Sequence, residues 1–382
     1  MKRRLINYLY CPECRGKITL EQLTVFEELD SEILSGIITC ACGQYYPIMG
    51  MVPVMLTGEL RGDYSDFIKE HGRHVPDSVH EKCEKETRKE KNQGCQVKES
   101  FGYKWQLLEN YGFEGPSKDF TDRWMYEGYG WIDEQTYIKE MNTKTAFLDA
   151  GCGLGREVDR FCRANNKALA IGLELSDCAR IAYQKVKDFP NAHIIQADIM
   201  NLPLAGETFD LILSEGVLHH TPDTRAALFN LCDCLVKGGE IAIYIYIIKP
   251  LLRELADEYI RSETTQLTQD RCWEVCRHFT RLGQTLQGID TTFTVDKDIP
   301  IIGIEKGTYT IQEFIYRYFM KCFWNKTFTF DENNLVNFDW YHPRYAFRHT
   351  PEQLTSWAGS LGLTQKWFRT TQSGMFFRAI KE

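Results

Sequence analysis

Three carboxylates and three glycines stand in an order that suggests a pocket for a cation. Asp149 closes the apolar run TAFLD, and Gly151, Gly153 and Gly155 follow it in DAGCGLGRE. Missing side chains between a strand and a helix let a ligand lie against backbone N–H groups at the helix start. The spacing is GxGxG rather than GxGxxG, and the acid sits two residues before the first glycine, which leans away from a pyrophosphate and toward a positively charged ligand. Glu174 ends the next apolar run, ALAIGLE, where an acidic side chain can accept hydrogen bonds from both hydroxyls of a ribose. Asp198 ends AHIIQAD and repeats the arrangement. Carboxylates at successive strand ends attract a sulfonium or an ammonium and repel a pyrophosphate.

A second set has metal-ligand spacing. Cys11 and Cys14 form CPEC, Cys40 and Cys42 form CAC, and residues 15–39 separate the pairs. Each pair can make a tight knuckle whose thiolates converge on one tetrahedral zinc ion. Four thiolates close the coordination sphere, so the expected metal is structural and the module serves stability or docking. The competing reading is an apolar ribbon that folds without metal.

Candidate bases lie in two places. His219 and His220 follow the fourth strand-like run in GVLHHTPD, and NFDWYHPRYAFRHT concentrates Asp339, Tyr341, His342, Arg344, Tyr345 and His349. His220, Tyr341 and His342 are the catalytic candidates, as proton acceptors, and Arg344 could pair with a phosphate or carboxylate. A loop pair holding a turn, and a satisfied core network, explain the same residues without chemistry.

The elements that must position these residues are legible as apolar periodicity. TAFLD, ALAIGLE, AHIIQAD, FDLILSEG and EIAIYIYII are strand-length runs separated by segments of helical length, the pattern of a parallel α/β sheet with crossover helices. Residues 145–248 are this Rossmann-like core. Before it come a cysteine module (1–58), a charged exposed linker (59–100) and an aromatic helical segment (101–144) that is either a lid or core. After it come a helical insertion (249–345) and a terminal helix with two strands (346–382), the helix capped by Thr350 with Pro351 at its first position.

At 382 residues with a net charge of −8, the chain has no broad basic footprint, so nucleic acid is a disfavoured partner. No apolar run reaches the roughly 20 residues that span a bilayer, and MKRRLINYLYCPEC carries no signal-peptide core, so a cytoplasmic protein with no membrane partner is expected.

DAGCGLGR, the GLELS acid, QADIMNLPLAGETFDLILSEGVLHH and LVKGGEIAIY together resemble the class I S-adenosylmethionine-dependent methyltransferases. The likeness is to the methyltransferase-11-like branch that holds quinone-biosynthesis C-methyltransferases and many sugar and natural-product enzymes. It implies that Asp149, Gly151 and Gly153 hold the methionine moiety, Glu174 the ribose, and Asp198 with Ile199 the adenine, with Gly155 and Leu175 also among the cofactor-binding residues. Glu215 and Gly216 would line the mouth from which the methyl group emerges. Glu174 departs from the commoner Asp, lengthening the arm without changing its chemistry. The segment through ITCACGQYYPIMGMVPVML resembles the small zinc-ribbon activator of eukaryotic tRNA and translation-factor methyltransferases, which implies a zinc ion and a protein partner for this module. The expected function is S-adenosylmethionine-dependent methylation of a small molecule such as a sugar, nucleotide sugar or secondary metabolite. The alternatives are an RNA or protein methyltransferase docked through the ribbon, and a non-catalytic S-adenosylmethionine-binding scaffold.

Overall fold

The computed structural model describes residues 1–86 and 93–382. The chain opens with an antiparallel sheet, β1 (Leu23–Leu29), β2 (Glu32–Thr39), β3 (Tyr45–Met49) and β4 (Val52–Pro53), in that spatial order. Helices α1 (Ser65–Glu70), α2 (Asp77–Glu86), α3 (Gln93–Leu107), α4 (Gly115–Tyr129) and α5 (Glu134–Met141) lead to the main sheet. Its first half alternates as β5 (Ala146–Ala150), α6 (Arg156–Ala164), β6 (Leu169–Glu174), α7 (Ala179–Val186) and β7 (Ala192–Gln196). Its second half begins β8 (Phe209–Glu215), α8 (Thr224–Asp233) and β9 (Leu235–Tyr246). The insertion holds α9 (Leu251–Thr264), α10 (Gln269–Gln287), the hairpin β10 (Thr292–Val295) and β11 (Gly307–Thr310), α11 (Ile311–Tyr318) and α12 (Phe330–Tyr341). Then α13 (Pro351–Ser360), β12 (Leu363–Thr370) and β13 (Gly374–Lys381) close the sheet.

The main sheet runs β12-β13-β9-β8-β5-β6-β7, parallel from β9 to β7 and antiparallel at β13 and β12. Residues of β5 and β7 are buried throughout, as expected of strands covered on both faces. One face packs on α8, α13 and the N-terminal ribbon, the other on α4 to α7, α10 and α12. Thr350 caps α13 as the sequence suggests, accepting from the Gln353 N–H at 3.2 Å.

The chain order reverses at β5, which has β6 on one side and β8 on the other. Loops leaving such a point splay apart and open a crevice beyond the strand ends.

The charged segment 59–100 differs from the expected exposed linker. Tyr64, Ile68, Val75, Val79 and Cys83 are buried against Ile37, Tyr45, Val54 and Leu56 of the ribbon, so α1 and α2 give it a small core of its own. Residues 87–92 of that segment lie outside the described residues. The aromatic segment divides between its two readings: Tyr129, Trp131 and Tyr137 are core, whereas Trp105, Tyr111, Phe120 and Trp124 line the crevice.

Candidate active site

A cavity of about 330 Å³ opens beyond the ends of β5 and β8. Asp149, Gly151, Gly153, Glu174, Leu175, Asp198, Ile199, Glu215 and Gly216 all line it. Gly155 does not. It caps α6 at φ +83°, and a Cβ there would meet Ala182 at 3.2 Å, so its role is to let α6 and α7 approach. Gly151 stands at φ +94°, where a Cβ would fall 2.3 Å from Val217; only glycine fits this turn.

The glycine loop spends its own donors. The N–H groups of Gly151 and Cys152 both donate to Leu173 O, at 2.7 and 2.9 Å, and Gly155 N–H donates to Cys152 O at 2.8 Å. Gly153 N–H donates to Glu174 Oε2 at 3.0 Å. A pyrophosphate needs such N–H groups free, so the loop is shaped for a ligand that meets carboxylates instead.

The carboxylates differ from one another. Glu174 Oε1 accepts from the Ser176 N–H at 2.9 Å and its hydroxyl at 2.7 Å, so with Gly153 it ties the loops after β5 and β6 together. Asp149 is 3 % exposed, and its Oδ2 has no hydrogen-bond partner among the described residues. Burial, with the charges of Glu157 and Glu215 beside it, drives its pKa well above the carboxylate range. Glu215 Oε1 accepts from Arg156 at 3.2 Å, Oε2 has no partner, and burial raises the group to about 7. Asp198 is satisfied by the Met200 N–H at 2.9 Å, and burial raises its pKa as well. An ionised carboxylate buried without a partner is costly, which is why burial pushes these groups toward their protonated forms, and a bound cation favours their charged forms again. S-adenosylmethionine, with an ammonium and a sulfonium, fits that donor set.

The opposite end is aromatic and holds cations. Phe120 and Trp124 of α4, Tyr244 and Tyr246 of β9, and Tyr316 and Phe323 of the insertion form its walls. Lys104 pairs with Asp339, whose other oxygen accepts from Tyr246 OH at 3.2 Å. Burial is the largest influence on Asp339 and acts upward, but Lys104, His220 and Lys321 together hold the carboxyl below its ordinary value. His220 sits beside them, packed edge-on against Phe101 at 5.0 Å. Its Nδ1 lies 2.5 Å from Tyr345 O, a contact only a protonated Nδ1 can make, and Nε2 has no partner. Burial lowers its pKa to about 4, so the ring is neutral, with Nε2 buried and without a partner among the described residues.

The structure does not bring Tyr341 and His342 to the cavity. Tyr341 OH donates to Asp257 Oδ1 at 2.8 Å or Lys321 O at 2.9 Å. His342 is 1 % exposed, and its ring nitrogens face Ser100 and, at 3.2 Å, Leu267 O. Their polar atoms are consumed in the packing of the insertion. His219 also stays outside, stacked on Tyr246 at 3.7 Å. Glu157, Lys104 and Lys321 line the cavity without having been singled out from the sequence. An acid in a helix's first turn reads as ordinary capping, and isolated lysines carry no spacing signal.

Outside the cavity's lining, the Sγ atoms of Cys11, Cys14, Cys40 and Cys42 lie within 4.8 Å of one another. Cys11 and Cys42 sulfurs are 3.7 Å apart and those of Cys14 and Cys40 3.5 Å. Zn–S bonds of about 2.3 Å in a tetrahedron place sulfurs about 3.8 Å apart, so the donor set fits zinc closely.

Residues 148–243 match the family model described as a methyltransferase domain, Methyltransf_11. An uncharacterized methyltransferase of Mycobacterium tuberculosis is 33% identical over 106 residues, 27% of this chain and 52% of that protein. A tRNA U34 carboxymethyltransferase of Pseudomonas fluorescens is 34% identical over 105 residues, 27% of this chain and 33% of that protein. The chain thus spans about half the length of the mycobacterial relative and less of the other. Among solved structures, magnesium protoporphyrin IX methyltransferase from Synechocystis aligns with 76% of this chain and 100% of its own, at 13% identity and a TM-score of 0.42. No described helix is long and apolar enough to cross a membrane.

Proposed function

We propose that the protein is an S-adenosylmethionine-dependent methyltransferase that acts on a small molecule. The observation that carries this reading is the pair of buried, unpartnered carboxylate oxygens, Asp149 Oδ2 and Glu215 Oε2, beside a glycine loop whose N–H groups are already used. When bound, S-adenosylmethionine supplies an electrophilic methyl group on a positively charged sulfur. Asp149 and Glu215 receive positive charge, Glu174 presents a carboxylate held rigid by Gly153 and Ser176, and Asp198 and Ile199 wall the far side. The aromatic end confines the acceptor and excludes water, so that proximity and alignment supply much of the rate. His220, neutral and fixed through Nδ1 on Tyr345 O, accepts the acceptor's proton at Nε2.

Calorimetric titration with S-adenosylmethionine, S-adenosylhomocysteine and a nicotinamide dinucleotide tests the reading. Micromolar binding of the two sulfur ligands alone is expected; no binding, or preference for the dinucleotide, sinks it.

An RNA acceptor is the second reading, favoured by the name of the Pseudomonas relative and opposed by the net charge of −8. Salt-dependent tRNA binding that competes with a small acceptor would select it.

The ribbon cysteines hold a structural zinc ion in this proposal. Elemental analysis should find close to one zinc per chain, and Cys11→Ser should lower both zinc content and thermal stability. A soluble, fully stable variant from a zinc-free preparation would refute the metal.

A further inference from the structure

Lys321 sits in the loop between α11 and α12, lines the cavity and is 7 % exposed. Among the described residues its Nζ has neither a hydrogen bond nor an ion pair and lies over the face of Trp340 at 4.9 Å; burial lowers its pKa to about 7, although the charge of Asp339 acts upward. Every other cation around it is engaged. Lys104 is neutralised by Asp339, Arg253 by Asp257 at 3.1 Å, and Lys249 donates to the carbonyls of Gln372 and Ser373 at 2.8 and 2.6 Å. The Lys321 backbone, in contrast, is pinned: its N–H donates to Asp257 Oδ1 at 3.0 Å, and its carbonyl lies 2.9 Å from Tyr341 OH. A side chain with about 2 kcal/mol of rotamer entropy, buried without a partner on an immobilised loop, is held for something that arrives.

We propose that Lys321 is the receptor for a carboxylate on the methyl acceptor, and that the acceptor is an apolar, ring-bearing monocarboxylic acid. Among the described residues Lys321 is the one lysine lining the cavity without a carboxylate at ion-pair distance, so it can receive one negative charge, and the walls of Phe120, Trp124, Tyr244, Tyr316 and Phe323 match a planar apolar body. The cavity is then polarised, with carboxylates receiving the cationic donor at one end and an ammonium receiving the anionic acceptor at the other. Tyr341 and Asp257 act as positioning residues that fix the loop carrying Lys321.

The assignment rests on the methyltransferase reading, and one set of titrations separates the two. With saturating S-adenosylhomocysteine, the protein is titrated with 2-naphthoate, neutral 2-naphthamide and 2-naphthyl phosphate, following tryptophan fluorescence. Naphthoate should bind about tenfold or more tighter than the amide, as an ion pair in a low-dielectric pocket requires. In Lys321→Met that preference should fall to about twofold or less while S-adenosylhomocysteine affinity is unchanged. Equal binding of acid and amide by the unaltered protein overturns the proposal, as does a preference that survives in Lys321→Met, or tighter binding of the phosphate. Should Lys321→Met fail to fold, Lys321→Gln serves in its place, with the same expected fall in the acid-to-amide preference. Loss of S-adenosylhomocysteine binding in the unaltered protein would instead overturn the methyltransferase reading.

Discussion

The two ends of the cavity are built in opposite ways. The carboxylate end comes from loops that leave successive parallel strands, Asp149, Glu174, Asp198 and Glu215, each one strand further along the chain. The aromatic end gathers α3, α4, β9, the insertion and the turn at Ser373 from across the sequence. One end is fixed by the sheet's topology, the other by how helices outside the sheet pack. The proposed donor is received by the loops of the sheet, and the proposed acceptor by helices and loops packed outside it.

Substitutions at the two ends should therefore separate cleanly. The largest effect is expected at the aromatic end. His220→Gln should lower kcat by about 10²-fold or more, the usual scale of a lost general base, with S-adenosylmethionine affinity unchanged. Full activity would remove His220 from the chemistry and leave catalysis to proximity.

Glu174→Ala comes next and should cost both affinity and folding. It strands the buried N–H groups of Gly153 and Ser176, worth about 3 kcal/mol together, so thermal denaturation should shift down along with donor binding. Asp149→Ala should weaken S-adenosylmethionine by about 30-fold in calorimetry without lowering stability, because in the free protein its Oδ2 has no partner to lose. If the two variants behave alike, the division between a structural and a waiting carboxylate fails.

The smallest effect is in pH. Burial raises Glu215 to about 7, so it is neutral below that pH and charged above it. Donor affinity should fall by up to about tenfold as pH drops from about 8 to about 6. Stability of the free protein should move the other way. The folded state holds a proton between the unfolded carboxyl's 4.5 and about 7 that the unfolded state has released, so this contribution is present at low pH and lost as pH rises through about 7. A flat affinity profile would place Glu215 outside the donor contacts.

The sequence exposed the two ends unequally for the same reason. Asp149, Glu174 and Asp198 are readable because each ends an apolar run, and the topology of a parallel sheet turns that local pattern into a shared edge. Tyr341 and His342 looked equally chemical, but whether a polar side chain faces a cavity or a carbonyl is decided by partners such as Asp257 and Leu267, far away in sequence. Lys321, in FMKCFW, has no pattern around it at all. The linker misled because polar composition hid apolar residues at Tyr64, Ile68, Val75 and Val79, which only the ribbon's surface brings together.

The placement of the N-terminal ribbon has a consequence for solubility. A terminal strand offers unpaired backbone groups to any passing chain. At one end of the main sheet that strand is β7, and it is wholly buried: the Met55 N–H donates to Gln196 O at 2.8 Å and the Lys2 ammonium to Ala192 O at 3.1 Å. At the other end β12 stays open to water, but an irregularity in its pairing between Gln365 and Trp367, and the charges of Lys366 and Arg369, spoil it as a template. One border is roofed and the other fenced, so a protein cut after residue 58 should self-associate through β7 even where its cavity is intact.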